Sequence, residues 1–276
     1  MSILSAAQVA FFDTFGFLRL PGLLADRAEA IIAAFDQVWA AQGGGHAGSR
    51  HDHRQRSCLV PFIDQHADLC ALLDDPRVHG LACQLLGDDF NYMGSDGNYY
   101  AGDTGWHSDG WNAGQRFLKI AFYLDPLTPE TGALRVIPGS HRVGDRFGEQ
   151  LQWAVGDLAS LGTAGVDLPA WSATIRPGDL MVFDHNIKHA SFGGGSSRRM
   201  FTINLCQRFP EDQLEKLQDY LVGHARFLIE RNVGETMLQT AGPQRLRHLA
   251  QVMANDFKLS AETRRRRQLA ALPARG

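Results

Sequence analysis

The segment GWHSDGW at residues 105–111 places His107 and Asp109 two positions apart. On a β-strand, residues i and i+2 point to the same face, so both side chains would enter one cavity. This pair alone does not establish a metal site, because His-x-Asp also occurs by chance on surface loops. A metal site needs a third ligand, and the later segment DHNIKHAS offers both His185 and His189.

Two histidines and one carboxylate form the facial triad of non-haem iron(II) oxygenases. Such a triad leaves positions on the metal open, and O₂ and a chelating cosubstrate need those positions. A cosubstrate such as 2-oxoglutarate also needs a cation for its distal carboxylate, and arginine makes bidentate hydrogen bonds to such a group. Arg198 and Arg199 begin the next predicted strand. They point to opposite faces, and spacing alone does not decide between them.

Several motifs in this order resemble the phytanoyl-CoA dioxygenase family of Fe(II)/2-oxoglutarate-dependent oxygenases. They are WHSDGW, FLKIAFYLDPLTPETGALRVIPGSHR and GDLMVFDHNIKHASFGGGSSRRMFTINL, and they lie within residues 90–208. The resemblance assigns the metal ligands to His107, Asp109 and His189, and the cosubstrate arginine to Arg198. It implies a double-stranded β-helix, or jelly roll, that uses Fe(II), 2-oxoglutarate and O₂.

The resemblance also implies a class of reaction. Related halogenases replace the aspartate with a small residue to admit chloride, so Asp109 favours hydroxylation of a C–H bond, with release of succinate and CO₂. The family places further cosubstrate contacts near Lys119 and Asn98. Desaturation, epoxidation or rearrangement stay open, because the same site supports them when the substrate lies differently. Acyl-CoA is the eponymous substrate, but the breadth of the family favours a small natural product or metabolite.

Aromatic and basic residues near the predicted metal are candidate substrate contacts. Trp111, Tyr99 and Tyr100 would form walls for an apolar or ring-bearing substrate, although such aromatics also pack in cores. Arg54 and Arg56 lie in a polar loop and would close over an anionic group.

Three regions supply the elements that position these residues. Residues 1–88 predict helices, with capping-box patterns at Ser5–Gln8 and Asp26–Glu29. Residues 89–208 carry short β-branched and aromatic runs between turns, without interleaved helices, which indicates a sandwich or barrel. Residues 209–276 return to helical periodicity. We expect one mainly β domain, a cupin-like jelly roll buttressed by N- and C-terminal helices. The predicted strands are 117–124, 133–139, 172–184 and 199–209.

The composition excludes several classes of protein. With 44% hydrophobic and 21% charged residues among 276, the chain is that of an ordinary globular protein. A net charge of −3 gives no attraction to nucleic acid or anionic membranes. No apolar run reaches the roughly 20 residues that span a bilayer, and no signal peptide or peroxisomal address is readable.

The four cysteines lack a C-x-x-C pair, which indicates reduced thiols. We therefore expect a cytoplasmic monomer or homodimer that acts on a small molecule.

Two other classes of function remain open. A cupin-type metal enzyme that does not use 2-oxoglutarate would keep the triad but have no use for Arg198. A non-catalytic jelly-roll binding protein would bind no metal, although an intact triad and arginine argue against it.

Overall fold

The structure is a computed structural model that describes residues 2–276, and its strands form two antiparallel sheets. The larger sheet has six strands in the order β1-β8-β5-β10-β3-β2, and the smaller has four in the order β4-β9-β6-β7. The strands are β1 Phe17–Leu20, β2 Ser57–Leu59, β3 Phe90–Tyr100, β4 Thr104–His107, β5 Phe117–Tyr123, β6 Leu134–Val136, β7 Trp171–Ser172, β8 Leu180–Asp184, β9 His189–Ser191 and β10 Arg198–Gln207.

The two sheets pack face to face around a shared apolar cluster. Ala121, Met181 and Met200 enter it from the large sheet, while Leu134 and Val136 enter it from the small sheet. The structure therefore confirms the predicted jelly roll, with a cavity between the sheets beside this cluster.

Helices cover the outer face of the large sheet. A second and larger core lies there, where Phe201 and Ile203 of β10 meet buried residues of the helices, such as Phe35 and Val252. Because side chains alternate along a strand, the even-numbered residues of β10 face the other sheet. The helices are α1 Ala6–Phe15, α2 Ala28–Ala41, α3 Ala67–Cys70, α4 Pro76–Leu86, α5 Arg146–Ala154, α6 Leu214–Gly223, α7 Glu235–Gln239, α8 Pro243–Asn255 and α9 Leu259–Gln268. None of the helices in residues 2–276 combines the length and apolarity needed to cross a membrane.

The predicted elements differ from the structure in several places. The run 172–184, predicted as one strand, contains β7 and β8, with a turn at Pro177 and Gly178 between them. The N-terminal region, for which the sequence predicts only helices, also contains the short strands β1 and β2. The helix α5 lies in the region for which the sequence predicts only strands. The capping box at Ser5 forms, with the Gln8 amide donating to Ser5 Oγ at 3.2 Å. The box predicted at Asp26–Glu29 does not form, because a 3-10 turn at Ala25–Arg27 leads into α2 and no side chain caps it.

Candidate active site

Two adjacent strands of the small sheet bring the three predicted metal ligands together. His107 ends β4 and lies opposite His189, the first residue of β9. Asp109 follows two residues after His107. One ligand atom from each of the three residues lies within 4.8 Å of the others. His185 is not part of this group, so the structure brings His189 and not His185 to the triad.

Backbone carbonyls fix how the two imidazoles present their nitrogen atoms. His107 Nδ1 lies 2.8 Å from the Gly105 oxygen, and His189 Nδ1 lies 3.0 Å from the Ile187 oxygen. Since a carbonyl only accepts, each Nδ1 donates, and each Nε2 is left with a lone pair for a metal. Burial lowers the pKa of His189 to about 3, which keeps this imidazole neutral near pH 7.

The Asp109 carboxylate is held ionised by a neighbouring cation. Burial by itself would raise the pKa of this carboxyl, but the Lys119 ammonium, 2.8 Å from Asp109 Oδ2, and the surrounding histidine side chains together outweigh it. The pKa of Asp109 therefore lies well below its usual range. Its side chain is 19% exposed, so one side of the carboxylate remains open to the cavity.

A set of hydrogen bonds ties the segment that carries Asp109 to the segment that leads to His189. The Asp109 amide donates to the His185 oxygen at 2.9 Å. Asn186 makes two bonds to the backbone of Asn112, accepting from its amide at 2.8 Å and donating to its carbonyl at 2.9 Å. These contacts hold the carboxylate in register with the histidines.

A cation–π contact also joins the segment after Asp109 to the segment before His189. The fully buried Lys188 places its Nζ 3.6 Å from the centre of the Trp111 ring. Lys188 also donates to the carbonyl oxygens of Ser140 and Asn186, at 3.2 and 2.9 Å. We call the contacts of Asn186 and Lys188 with residues 111–112 the ligand clip.

The triad opens into a cavity of about 430 Å³. The cavity runs along the even-numbered residues of β10 and their β3 partners, from Arg198 beside Tyr100 to Thr202 beside Asp96. Four residues of strand separate these ends, or about 13 Å.

Arg198 is a buried cation at one end of this cavity. Its Nη1 donates to the Gly132 oxygen and to Ser191 Oγ, and its Nη2 donates to the Gly102 oxygen at 2.8 Å. Its Nε is buried without a partner. Within residues 2–276 no carboxylate pairs with this guanidinium, and burial lowers its pKa below the usual value. A buried cation in this state favours an anionic ligand.

Arg199 points away from the cavity. It forms ion pairs with Asp125 at 2.8 Å and Asp36 at 3.1 Å on the outer face of the large sheet. The alternation along β10 therefore separates the two arginines, and Arg198 is the one that faces the cavity.

Two other predicted residues, Tyr100 and Lys119, line the cavity. Tyr100 lies between two guanidinium groups, with the Arg56 group 4.5 Å and the Arg198 group 5.3 Å from its ring centre. Lys119 lies beside Asp109, a predicted metal ligand, rather than at the Arg198 end. The structure thus places Lys119 next to the triad.

The structure places four other predicted residues away from the cavity. Asn98 is buried behind Arg56, whose Nε donates to Asn98 Oδ1 at 2.9 Å. Tyr99 faces the helices, because it neighbours Tyr100 on a strand and packs against Trp39. Trp111 is turned towards Lys188, and Arg54 is exposed on the surface loop. Tyr99 and Trp111, predicted as substrate walls, therefore do not line this cavity, and the loop contributes Arg56 instead of Arg54.

Several cavity residues were missed by the sequence reasoning. Asp96 and Thr202 follow from the two-residue alternation along β3 and β10, once those strands are paired. Arg226 and Phe227 come from the 3-10 turn that follows α6, and no pattern in the sequence connects that turn to the metal site. The missed polar, charged and aromatic residues include Asp96, Tyr123, Phe183, Ser191, Thr202, Arg226 and Phe227.

The donor set fits iron(II) better than a closed structural metal. Two imidazoles and one carboxylate offer three ligands on one side, and the cavity occupies the other side. A structural zinc site would need a fourth protein ligand, and among the described residues only these three form such a cluster. The unpartnered Arg198 Nε and the Ser191 hydroxyl fit the distal carboxylate of a keto acid in the same cavity.

Comparisons with known proteins agree with this arrangement. Residues 12–200 match the family Phytanoyl-CoA dioxygenase (PhyH). The ectoine dioxygenase of Sphingopyxis alaskensis is 30% identical in an alignment 217 positions long. This alignment covers 69% of this chain and 71% of that protein. The dioxygenase lolE1 of Epichloe uncinata is 23% identical in an alignment 242 positions long, which covers 80% of this chain and 88% of that protein.

Solved structures share the same fold. The ectoine dioxygenase EctD from S. alaskensis, with 2-oxoglutarate and 5-hydroxyectoine bound, superposes with a TM-score of 0.58. It is 26% identical, over 75% of this chain and 77% of that chain. The α-ketoglutarate-dependent carbocyclase SnoK from nogalamycin biosynthesis gives a TM-score of 0.60 at 21% identity, over 75% of this chain and 86% of that chain.

Proposed function

The chain belongs to the phytanoyl-CoA dioxygenase family, and from this premise we propose that it oxidises a C–H bond of a small molecule, most simply by hydroxylation. It is an Fe(II)/2-oxoglutarate-dependent dioxygenase. The observation that supports the proposal best is the presence, in one cavity, of an open triad and a buried arginine without a counter-ion.

Each residue of the site has a role in this proposal. His107, Asp109 and His189 hold the iron, and Arg198 with Ser191 holds the distal carboxylate of 2-oxoglutarate. When bound, the iron and the keto acid together supply the activation of O₂, with succinate and CO₂ as products.

The protein itself supplies orientation and charge. The carbonyls of Gly105 and Ile187 orient the imidazoles, which keeps both lone pairs on the cavity side. Side chains of Tyr123, Phe183 and Met200 give the cavity an apolar stretch of wall.

The substrate in this proposal is a small metabolite or natural product. The outcome at the substrate depends on which of its atoms lies nearest the metal, so desaturation, epoxidation or rearrangement use the same residues. The ectoine dioxygenase named above acts on a small molecule by its name, which supports this size class.

Formation of succinate from 2-oxoglutarate tests the proposal. Purified protein supplied with Fe(II), 2-oxoglutarate and O₂ is expected to form succinate, faster when the substrate is present. Replacing Arg198 with Ala should abolish this reaction at low 2-oxoglutarate. Metal-dependent activity that is unchanged by Arg198→Ala, without consumption of 2-oxoglutarate, would instead indicate a cupin-type enzyme.

A further inference from the structure

The cavity carries more positive than negative side chains. Its lining includes four cationic side chains, Arg56, Lys119, Arg198 and Arg226, and two side-chain carboxylates, Asp96 and Asp109. Gly276 also lines it and packs against the Arg56 guanidinium. Iron(II) and the dianionic 2-oxoglutarate would cancel each other's formal charge. The loaded cavity would therefore keep an excess of positive charge, and this favours a substrate that brings a negative one.

Besides Arg198, the cations without a close carboxylate partner are Arg56 and Arg226. Lys119 is paired with Asp109 at 2.8 Å. Arg56 is only partly paired, because its Nη2 lies 3.4 Å from Asp96 Oδ2 and its Nε donates to the neutral Asn98. Arg226 stacks on Phe227 at 4.7 Å, and within residues 2–276 no carboxylate forms an ion pair with it.

The backbone brings the two arginine-bearing segments together. The Ala274 amide donates to the Arg226 oxygen at 2.8 Å, and Arg275 Nη1 donates to the Arg56 oxygen at 2.7 Å. Because residues 274 and 275 are neighbours in the chain, the segments of Arg56 and Arg226 meet at the same point of the cavity mouth. Both side chains line the cavity.

Arg56 is ordered before any ligand arrives. Its guanidinium stacks 4.5 Å from the centre of the Tyr100 ring, and two of its three nitrogens donate to Asn98 and Asp96. Its Nη1 makes no hydrogen bond within the described residues. A fixed guanidinium with one free nitrogen loses little entropy when it binds an oxoanion.

Asp96 does not compete for a cationic part of the substrate. Its carboxylate already accepts from Asn98 Nδ2 at 2.6 Å, from Thr202 Oγ1, and from Arg56 Nη2. A carboxylate satisfied in this way is part of the wall, whereas Arg56 and Arg226 still have donors to offer.

We propose that the substrate carries an anionic oxoacid group, a carboxylate or a phosphoryl group, which binds between Arg56 and Arg226 while the reacting carbon lies towards the triad. This inference rests on the proposed function, because that function assigns Arg198 and the metal ligands to 2-oxoglutarate and iron. In this proposal the substrate is recognised mainly by the charged side chains of Arg56 and Arg226, and not by the aromatic residues expected from the sequence.

Matched pairs of small probes test the proposal on the anaerobic Fe(II)–2-oxoglutarate enzyme. Phenylacetate is compared with phenylacetamide, and phenylphosphonate with its dimethyl ester, by titration calorimetry. We expect the anion of at least one pair to bind about tenfold or more tightly than its neutral partner. The pair that shows this preference identifies carboxylate or phosphoryl as the recognised group.

Variants locate the binding to the two arginines. Arg56→Gln and Arg226→Gln should each weaken binding of the preferred anion by about 10- to 100-fold, the range for a lost charged hydrogen bond. The neutral partner should be unaffected. Arg56→Lys keeps the charge and should retain part of the preference. Arg208→Gln, an exposed arginine paired with Asp89, is the matched control and should change nothing.

The outcomes separate this proposal from the proposed function. A visible charge-transfer band on adding Fe(II) and 2-oxoglutarate reports cofactor binding without any probe. If this band forms but no anion binds more tightly than its neutral partner, the anionic substrate is wrong and the dioxygenase assignment stands. The inference also fails if both glutamine variants keep the wild-type preference. If the band does not form, the proposed function itself fails.

Discussion

Asp109 is the residue on which metal binding depends most directly. Asp109→Ala removes the only carboxylate of the triad and leaves the Lys119 ammonium beside the metal position without a partner. We expect the variant to lose iron binding and succinate formation together. Metal content after anaerobic loading and the rate of succinate release are the measurements. A purified variant with full activity would rule out the metal assignment.

Arg198 and Arg199 provide a matched pair for the cosubstrate. Arg198→Gln should raise the KM for 2-oxoglutarate by about 10- to 100-fold, because a charged hydrogen bond to its carboxylate is lost. Arg199→Gln removes an arginine of the same strand that pairs with Asp125 outside the cavity. It should leave this KM unchanged. Equal effects of the two substitutions would contradict the assignment of Arg198.

At the scale of elements, the ligand clip connects the two segments that carry the metal ligands. The bonds of Asn186 to the backbone of Asn112 fix the turn that follows Asp109. Residues that hydrogen-bond to metal ligands and hold them in place typically contribute about 10- to 100-fold to metal affinity. We therefore treat Asn186 as a positioning residue.

Asn186→Ala tests this positioning role. It should weaken iron binding about tenfold and lower the free energy of unfolding by about 2 kcal/mol, since two hydrogen bonds are lost. Asn255→Ala is the control, because Asn255 is also buried and hydrogen-bonded but lies in α8. It should reduce stability without changing iron affinity. Metal titration and urea unfolding of both variants give the comparison, and equal iron affinities would overturn the role.

The elements that the sequence predicted well are those with strong local patterns. The runs that form β5, β8 and β10 are rich in β-branched and aromatic residues. Spacing left His185 and His189 open as the third ligand, and the family resemblance assigned His189. By contrast, β3 carries Gly94, Asp96 and Gly97, which are typical of turns. Gly97 is needed because a Cβ there would lie 2.0 Å from the Phe62 ring. Only the tertiary packing reveals that requirement.

The substrate end of the cavity was the least predictable part. Arg56 and Arg226 are 170 positions apart in the chain and lie on irregular segments, so no periodicity relates them. Trp111 was expected to face the cavity from its position near Asp109, but its pairing with Lys188 turns it away. Residues on loops depend on which long-range contacts the fold makes, and local patterns do not contain that information.

At the scale of the whole molecule, a buried histidine makes stability depend on pH. His141 packs beneath the C-terminal end of α1, against Gly16. Burial and the neighbouring Arg142 lower the pKa of His141 from 6.5 to about 4. The folded protein thus prefers the neutral imidazole. Its stabilising effect is complete above pH 6.5 and is lost as the pH falls towards 4.

The comparison of two pH values isolates this contribution. From pH 7 to pH 5, the metal-free wild type should lose about 2 kcal/mol more unfolding free energy than His141→Asn loses. The comparison with the variant is needed because burial raises the pKa of Asp184 to about 6, and this group shifts stability in the opposite direction. Urea unfolding at both pH values measures the difference. Parallel pH profiles for the two proteins would contradict a neutral, buried His141.

The binding of iron and 2-oxoglutarate in this one cavity is tested most directly by an anaerobic titration of the purified metal-free protein. Fe(II) is added first, then 2-oxoglutarate, and the visible spectrum is recorded at each step. We predict a weak charge-transfer band that appears only when protein, iron and 2-oxoglutarate are all present. Iron that binds without giving this band would contradict the use of 2-oxoglutarate, and a failure to bind iron would contradict the triad of His107, Asp109 and His189.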